Sequence, residues 1–174
     1  MNYFIRSENE KDYAGIREVN IVAFNKENEA KLIEAIRGSN LFIPELSLVA
    51  VSEKQEILGH ILFSEIILAT EGGEIPTIGL APMAVKPEYQ NMGIGSALVK
   101  RGLDLCKTLG YSHVFVLGHP NFYPKFGFAA SSLYGIESPF PVPEEVFMAI
   151  EIDKDSLSGL QGKIKYPPAF SSVT

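Results

Sequence analysis

The residues with the clearest chemical meaning are the two glycines in Gln90-Asn91-Met92-Gly93-Ile94-Gly95-Ser96. This run follows an apolar stretch over residues 78–85, closed by Pro87, and opens a second apolar-periodic stretch over residues 94–109. A strand, a glycine-bearing turn and a helix, in that order, make an anion site. The first N–H groups of a helix lack an intrahelical acceptor, and the macrodipole adds partial positive charge there. Gly93 and Gly95 let the backbone approach a phosphate with no Cβ between them. A phosphorylated ligand is therefore expected at residues 92–96. A Walker-type loop does not fit, because Gly95 is followed by Ser96 and the next lysine is Lys100. A dinucleotide fingerprint fits only at Gly93 and Gly95, since its third small position is Leu98. Three histidines and one cysteine show no ligand spacing, so no metal is expected.

The elements that must carry this turn are readable in outline. A short strand is expected at residues 3–6. Asn9 is placed as a helix cap, with Glu10 and Asp12 in the first turn. Tyr13, Ile16, Asn20 and Phe24 outline that helix, and Leu32, Ile33 and Ile36 a second one, stopped by Gly38 and Asn40. Strands are expected at residues 46–52, 57–69 and 78–85, with turns at Glu53-Lys54-Gln55-Glu56 and Glu71-Gly72-Gly73-Glu74. A helix over 94–109, a strand over 112–117 and a late strand over 146–152 follow. The prolines at 139, 141 and 143 mark an irregular loop. The order implies an α/β (α+β) fold with a mixed, mainly antiparallel central sheet flanked by helices.

Composition narrows the class. A chain of 174 residues is read as one domain, 1–174, long enough for one sizeable core. A hydrophobic content of 46% argues against disorder. The net charge of −6 argues against a nucleic-acid partner, whose affinity comes largely from phosphate neutralisation, and suits a cationic one. Cys106 is the only cysteine, so no intramolecular disulfide forms and a reducing compartment is expected. The start of the chain shows no signal pattern, and no apolar run reaches the roughly 20 residues of a membrane span. A cytoplasmic protein with no membrane partner is the expectation.

Ala84-Val85-Lys86-Pro87-Glu88-Tyr89-Gln90-Asn91-Met92-Gly93-Ile94-Gly95 resembles the acyl-CoA pyrophosphate loop of the GNAT N-acetyltransferase superfamily. That loop reads Gln/Arg-x-x-Gly-x-Gly/Ala after a Val-x-Pro strand end. Tyr123-Pro124-Lys125-Phe126-Gly127-Phe128 is similar to the superfamily's Tyr-x-x-x-Gly-Phe element, with one helix and one strand between the two segments in family order. Tyr166-Pro167-Pro168-Ala169-Phe170 resembles the tail of a bacterial branch of predicted N-acetyltransferases. The resemblance covers most of the chain and is specific at 83–98 and 123–128. One departure stands out: Gly118-His119-Pro120-Asn121-Phe122 is short, so the helix usual before the tyrosine is expected to shrink to a turn.

The resemblance implies two central strands that splay apart, with acetyl-CoA in the gap as co-substrate. Met83, Ala84 and Val85 would offer backbone groups to the pantetheine amides. Gln90, Asn91, Met92, Gly93, Ile94, Gly95 and Ser96 would form the loop that takes the pyrophosphate, and Lys86, Lys100 and Lys125 are candidates for the 3′-phosphate. The implied reaction is direct attack of an amine on the thioester. A lysine-like amine has a pKa of about 10.4, so roughly one molecule in a few thousand is neutral at pH 7 and a base is needed. Glu65, His119 and Glu74 are the candidates for it. Tyr123 is the implied acid for the leaving thiolate. Their ordinary roles would be a packing aromatic for Tyr123 and a solvated strand carboxylate for Glu65. Cys106 reads as a buried small residue and His60 as structural. The acceptor is a small-molecule amine or a protein amine, and a homodimer is a candidate assembly. The rival class is a non-catalytic acyl-CoA-binding or regulatory module of the same fold.

Overall fold

Apolar side chains on both faces of consecutive strands force a sheet covered on both sides, and a computed structural model of the chain shows how, describing residues 2–171. Met1 and residues 172–174, the edges of the expected 1–174 unit, lie outside the described residues. In chain order the elements are β1 (Tyr3–Ser7), α1 (Tyr13–Phe24), α2 (Asn28–Arg37), β2 (Ser47–Ser52), β3 (Ile57–Thr70), β4 (Gly73–Val85), α3 (Ile94–Thr108), β5 (His113–Leu117), β6 (Ala129–Ala130), β7 (Ile136–Glu137), β8 (Phe147–Glu151), β9 (Gly162–Lys165) and α4 (Pro168–Ser171). The main path of the sheet runs β1-β2-β3-β4-β5-β8-β6, and β9 pairs with the outer end of β3 and with β7. Most pairings are antiparallel. The parallel ones are β4 with β5 and β7 with β9. The mixed, mainly antiparallel sheet with flanking helices is thus the observed architecture.

Strand parity sorts the core. Val49 and Val51 of β2 meet Ile16 and Val19 of α1 and Ile33 and Ile36 of α2. Leu48 and Ala50, one residue out of phase, join Leu98, Val99 and Cys106 of α3 on the opposite face. Each fully buried Leu, Ile or Val contributes about 1.5–3 kcal/mol relative to exposure. A third cluster, including Ile66, Leu68, Phe115 and Phe147, closes the outer end of the sheet.

Local signals place the helices. The Asn9 side chain accepts the Lys11 N–H, and the Asp12 carboxylate accepts the Asn9 N–H at 2.8 Å, a capping box on a 3₁₀ turn that leads into α1. Asp12 also takes both guanidinium nitrogens of Arg6, at 2.6 and 3.0 Å, and this bond pulls its pKa below the ordinary value. Gly38 follows α2, where the helix was expected to stop. Two features differ from expectation. β4 begins at Gly73, because Thr70 pairs with Gly73 across a tight Glu71-Gly72 turn; the polar outer end of this strand concealed it. β9 was not expected, since its four residues gain strand structure only by lying against β3 and β7.

The irregularity that matters lies in β4. Ile61 pairs with Met83 and Phe63 with Leu80, so two steps on β3 face three on β4. The extra residue is a bulge, and it contains Pro82, which has no N–H for a ladder.

Candidate active site

The bulge coincides with the point where β4 leaves β5. Parallel pairing joins Ile78, Gly79 and Leu80 to Val114, Phe115 and Val116, and goes no further. Beyond Leu80 the edge of β4 that faces β5 has no ladder partner among the described residues. A cavity of about 820 Å³ fills the wedge between them. Met83, Ala84 and Val85 line it, as do Gln90, Asn91, Gly93, Ile94, Gly95 and Ser96 at one end and His119 and Tyr123 at the other. Unpaired backbone at a cavity wall needs a partner once water is displaced, and an extended ligand bearing amides supplies one.

The N-terminus of α3 closes one end. Asn91 and Gly93 have φ of 63° and 88°, and Gly93 is the helix N-cap. That left-handed position costs roughly 1–2 kcal/mol for a residue with a Cβ, and Gly93 avoids the cost. The first intrahelical bond runs from the Ala97 N–H to the Gly93 carbonyl at 3.0 Å, leaving the N–H groups of Ile94, Gly95 and Ser96 without acceptors in the helix. No acidic side chain occupies the first turn of α3. A Cβ placed on Gly95 would stand 3.4 Å from the Met83 methyl and 3.8 Å from the Phe122 ring, so this residue packs α3 against the cavity wall. The Gln90 amide donates to the Val85 carbonyl at 3.0 Å, which spends that side chain on holding the turn.

Tyr123 stands at the other end. The expected turn is present: the His119 carbonyl accepts the N–H groups of Phe122 and Tyr123 at 3.1 and 3.4 Å, and a 3₁₀ turn spans Tyr123–Phe126. The Tyr123 ring is nearly buried, edge-on to Phe122 at 5.0 Å and to Phe128 at 5.6 Å. Its far side rests on Gly118, where a Cβ would come within 2.4 Å of the ring. Burial pushes the phenol pKa up to about 12. The group stays protonated at neutral pH, with no hydrogen-bond partner among the described residues.

Not every expected residue reaches the cavity. Met92 is exposed and its side chain is not part of the wall. Glu65 lies on β3 away from the wedge. Its N–H donates to the Leu41 carbonyl, and its charge adds to the burial that raises the Tyr111 pKa. Glu74 pairs with Lys165 at 3.4 Å near the β3–β4 turn, also outside the cavity. His119 is the remaining base candidate on the wall. Of the lysines, Lys86 is bound to Glu56 at 2.9 Å, Lys100 is exposed on α3, and Lys125 lines the cavity with its ammonium 4.7 Å from the Phe122 ring centre. Sequence reading missed Leu80, Ala81 and Pro82, although a proline inside an apolar strand was a signal for the bulge. It also missed Glu29 of α2, for which no local signal exists.

Glu8, Ser47 and His60 have the residue types of a nucleophile triad, but their order forbids that chemistry. The Ser47 hydroxyl donates to Glu8, so it accepts the N–H of His60 Nε2 at 2.9 Å. The serine therefore has no base. Arg37 closes the network on Glu8 at 3.0 and 3.1 Å, and burial with the Arg37 charge lowers the His60 pKa to about 3. This is a structural network, as expected for His60. Cys106 is likewise buried in the core under α3, its thiol pushed up to about 12 by burial.

Comparison with known proteins agrees with this geometry. The profile of the Acetyltransferase (GNAT) family matches residues 11–128. The uncharacterized N-acetyltransferase YjhQ of Escherichia coli K12 is 41% identical over 138 residues, which is 77% of this chain and 74% of that protein. The crystal structure of the Escherichia coli GNAT family N-acetyltransferase YhbS in complex with CoA superposes with a TM-score of 0.90 at 29% identity, covering 98% of this chain and 93% of that one. A GNAT family acetyltransferase from Brucella melitensis in complex with acetyl-CoA gives a TM-score of 0.79 at 30% identity, covering 97% of this chain and 98% of the other.

Proposed function

Since the chain belongs to the GNAT acetyltransferase family, we propose that it moves the acetyl group of acetyl-CoA to a primary amine by direct attack on the thioester. The observation that carries this reading is one wedge-shaped cavity lined by unpaired β4 backbone, the N-terminal residues of α3 and Tyr123. The residues fit the co-substrate. Backbone at Met83, Ala84 and Val85 suits the pantetheine amides. The α3 N-terminus suits the pyrophosphate. Lys125 is the cavity lysine available to a further phosphate.

The chain's own groups then manage protons. An ammonium acceptor first loses one proton, for which His119 is the base on the cavity wall. The amine lone pair attacks the thioester carbonyl carbon and a C–N bond forms. The C–S bond breaks, the nitrogen sheds its second proton, and the thiolate takes one from Tyr123, which is reprotonated in turn. The net products are an amide, CoA thiol and one proton. A cytoplasmic location belongs to this reading and is supported by the free, buried Cys106. Among the described residues no helix is long and apolar enough to cross a membrane.

Thiol release on mixing the protein with acetyl-CoA and a panel of amines tests the proposal. Amine-dependent release is expected. Acetyl-CoA binding by calorimetry with no release for any amine would favour the non-catalytic acyl-CoA-binding module instead.

A further inference from the structure

The wedge between β4 and β5 meets a second, smaller cavity of about 270 Å³. The two share Glu29 and Leu32 of α2, Leu80 and Ala81 at the bulge, and Leu117 at the end of β5. They therefore converge where β4 departs from β5 and the chain turns toward His119 and Tyr123. The outer walls are aromatic. Phe140 lies flat on Tyr166, with ring centres 5.6 Å apart and planes 15° apart, and Phe170 tilts against Tyr166 at 4.8 Å.

One carboxylate belongs to this aromatic chamber. Lys26, half exposed, approaches Glu29 Oε2 at 3.5 Å. The other oxygen, Oε1, is buried and has no donor among the described residues. A buried acceptor without a donor costs about 1–3 kcal/mol, and more when charged. The terminal carboxylate torsion is soft, so this oxygen can turn into the cavity without a rotamer change. A positive group entering beside Leu32 would relieve the cost.

We propose that this chamber takes the acceptor, that the acceptor is a small primary monoamine on an aromatic or branched apolar body, and that Glu29 holds its ammonium. The proposal rests on the acetyltransferase reading above and narrows its substrate. The walls supply apolar area and ring faces, both of which favour a cation carried on a hydrophobic body. Among the described residues Glu29 is the only carboxylate on the chamber wall, so a polyamine would bring charges that find no partner there. An ammonium at Glu29 sits at the junction with the wedge, at the end where His119 and Tyr123 stand.

The test is steady-state thiol release with acetyl-CoA and three acceptors: 2-phenylethylamine, spermidine and a lysine-containing peptide. 2-Phenylethylamine should have the highest kcat/KM. Glu29→Gln keeps the shape and removes the charge. Its KM for 2-phenylethylamine should rise about 10- to 100-fold, the range for a lost charge-assisted bond, while the KM for acetyl-CoA stays unchanged. Phe140→Ala removes a ring that is 46% exposed, so folding is not at stake, and it should reduce the preference for 2-phenylethylamine over methylamine. Preference for spermidine or the peptide overturns the inference and leaves the acetyltransferase reading standing. A wild-type amine KM in Glu29→Gln does the same, as does an unchanged preference in Phe140→Ala. Acetyl-CoA binding without transfer to any amine overturns both.

Discussion

In the proposed reaction Tyr123 keeps its proton until the leaving thiolate takes it. Gly118 below and the edges of Phe122 and Phe128 beside it fix the ring, and burial raises the phenol pKa to about 12. A group that high does not ionise in the physiological range, yet it can donate to a thiolate formed next to it. Tyr123→Phe keeps the ring and its packing and removes only the O–H. Folding and acetyl-CoA affinity should change little, and the single-turnover rate should fall roughly 10²- to 10⁴-fold. Single-turnover rates are the suitable measurement, because slow product release can mask a loss in kcat. A wild-type rate would leave Tyr123 as a packing aromatic.

At the scale of elements, the proposed pyrophosphate site depends on how closely α3 approaches the sheet. Gly102 faces the fully buried Phe63 ring of β3, and a Cβ there would fall 2.0 Å from the ring. The absent side chain lets α3 lie flat on the strands, which brings its N-terminus to the open edge of β4. Gly102→Ala gains up to about 1 kcal/mol of helix propensity. Overpacking against a ring that cannot retreat costs about 1–3 kcal/mol. The clash should win, so urea unfolding should show net destabilisation, partly recovered by adding Phe63→Leu. A stabilised Gly102→Ala protein would mean that α3 shifts freely on the sheet.

For the molecule as a whole, the Glu8–Ser47–His60–Arg37 network ties α2 to β2 and β3 and makes stability depend on pH. His60 has a folded pKa of about 3 against an ordinary 6.5. The unfolded chain accepts a proton that the native state refuses. This contribution is fully present above about pH 6.5 and is lost as pH falls toward 3, at up to about 1.4 kcal/mol per pH unit. His113, whose pKa is also lowered by burial, acts in the same direction, whereas Asp12 acts below its ordinary value of 3.8. Chemical denaturation between pH 7 and 4 should show the wild type losing stability more steeply than His60→Gln. Parallel profiles would show that the native His60 takes up a proton after all.

What was legible from the residues alone is what neighbours in the chain decide. The glycine turn before α3, the start of α3 at Ile94, the Tyr123 segment and the burial of Cys106 follow from glycine placement, helix periodicity and short motifs, all of which act within a few residues. The wedge itself was decided by tertiary structure. Its position depends on where the β4–β5 ladder stops, and that depends on pairings between residues far apart in sequence. The same holds for side chains whose role turns on strand parity or on a distant partner. Glu65 is on β3, as its sequence indicates, but register and packing place it beside Tyr111 rather than in the cavity. The Gln90 amide found the Val85 carbonyl. Glu29, unremarkable on a helix surface pattern, came to the junction of two cavities because α2, the bulge at Leu80 and Ala81, and the segment ending at Phe170 border the same space. Hydrogen-bond period and glycine sterics are local, whereas a cavity exists only where distant elements fail to meet.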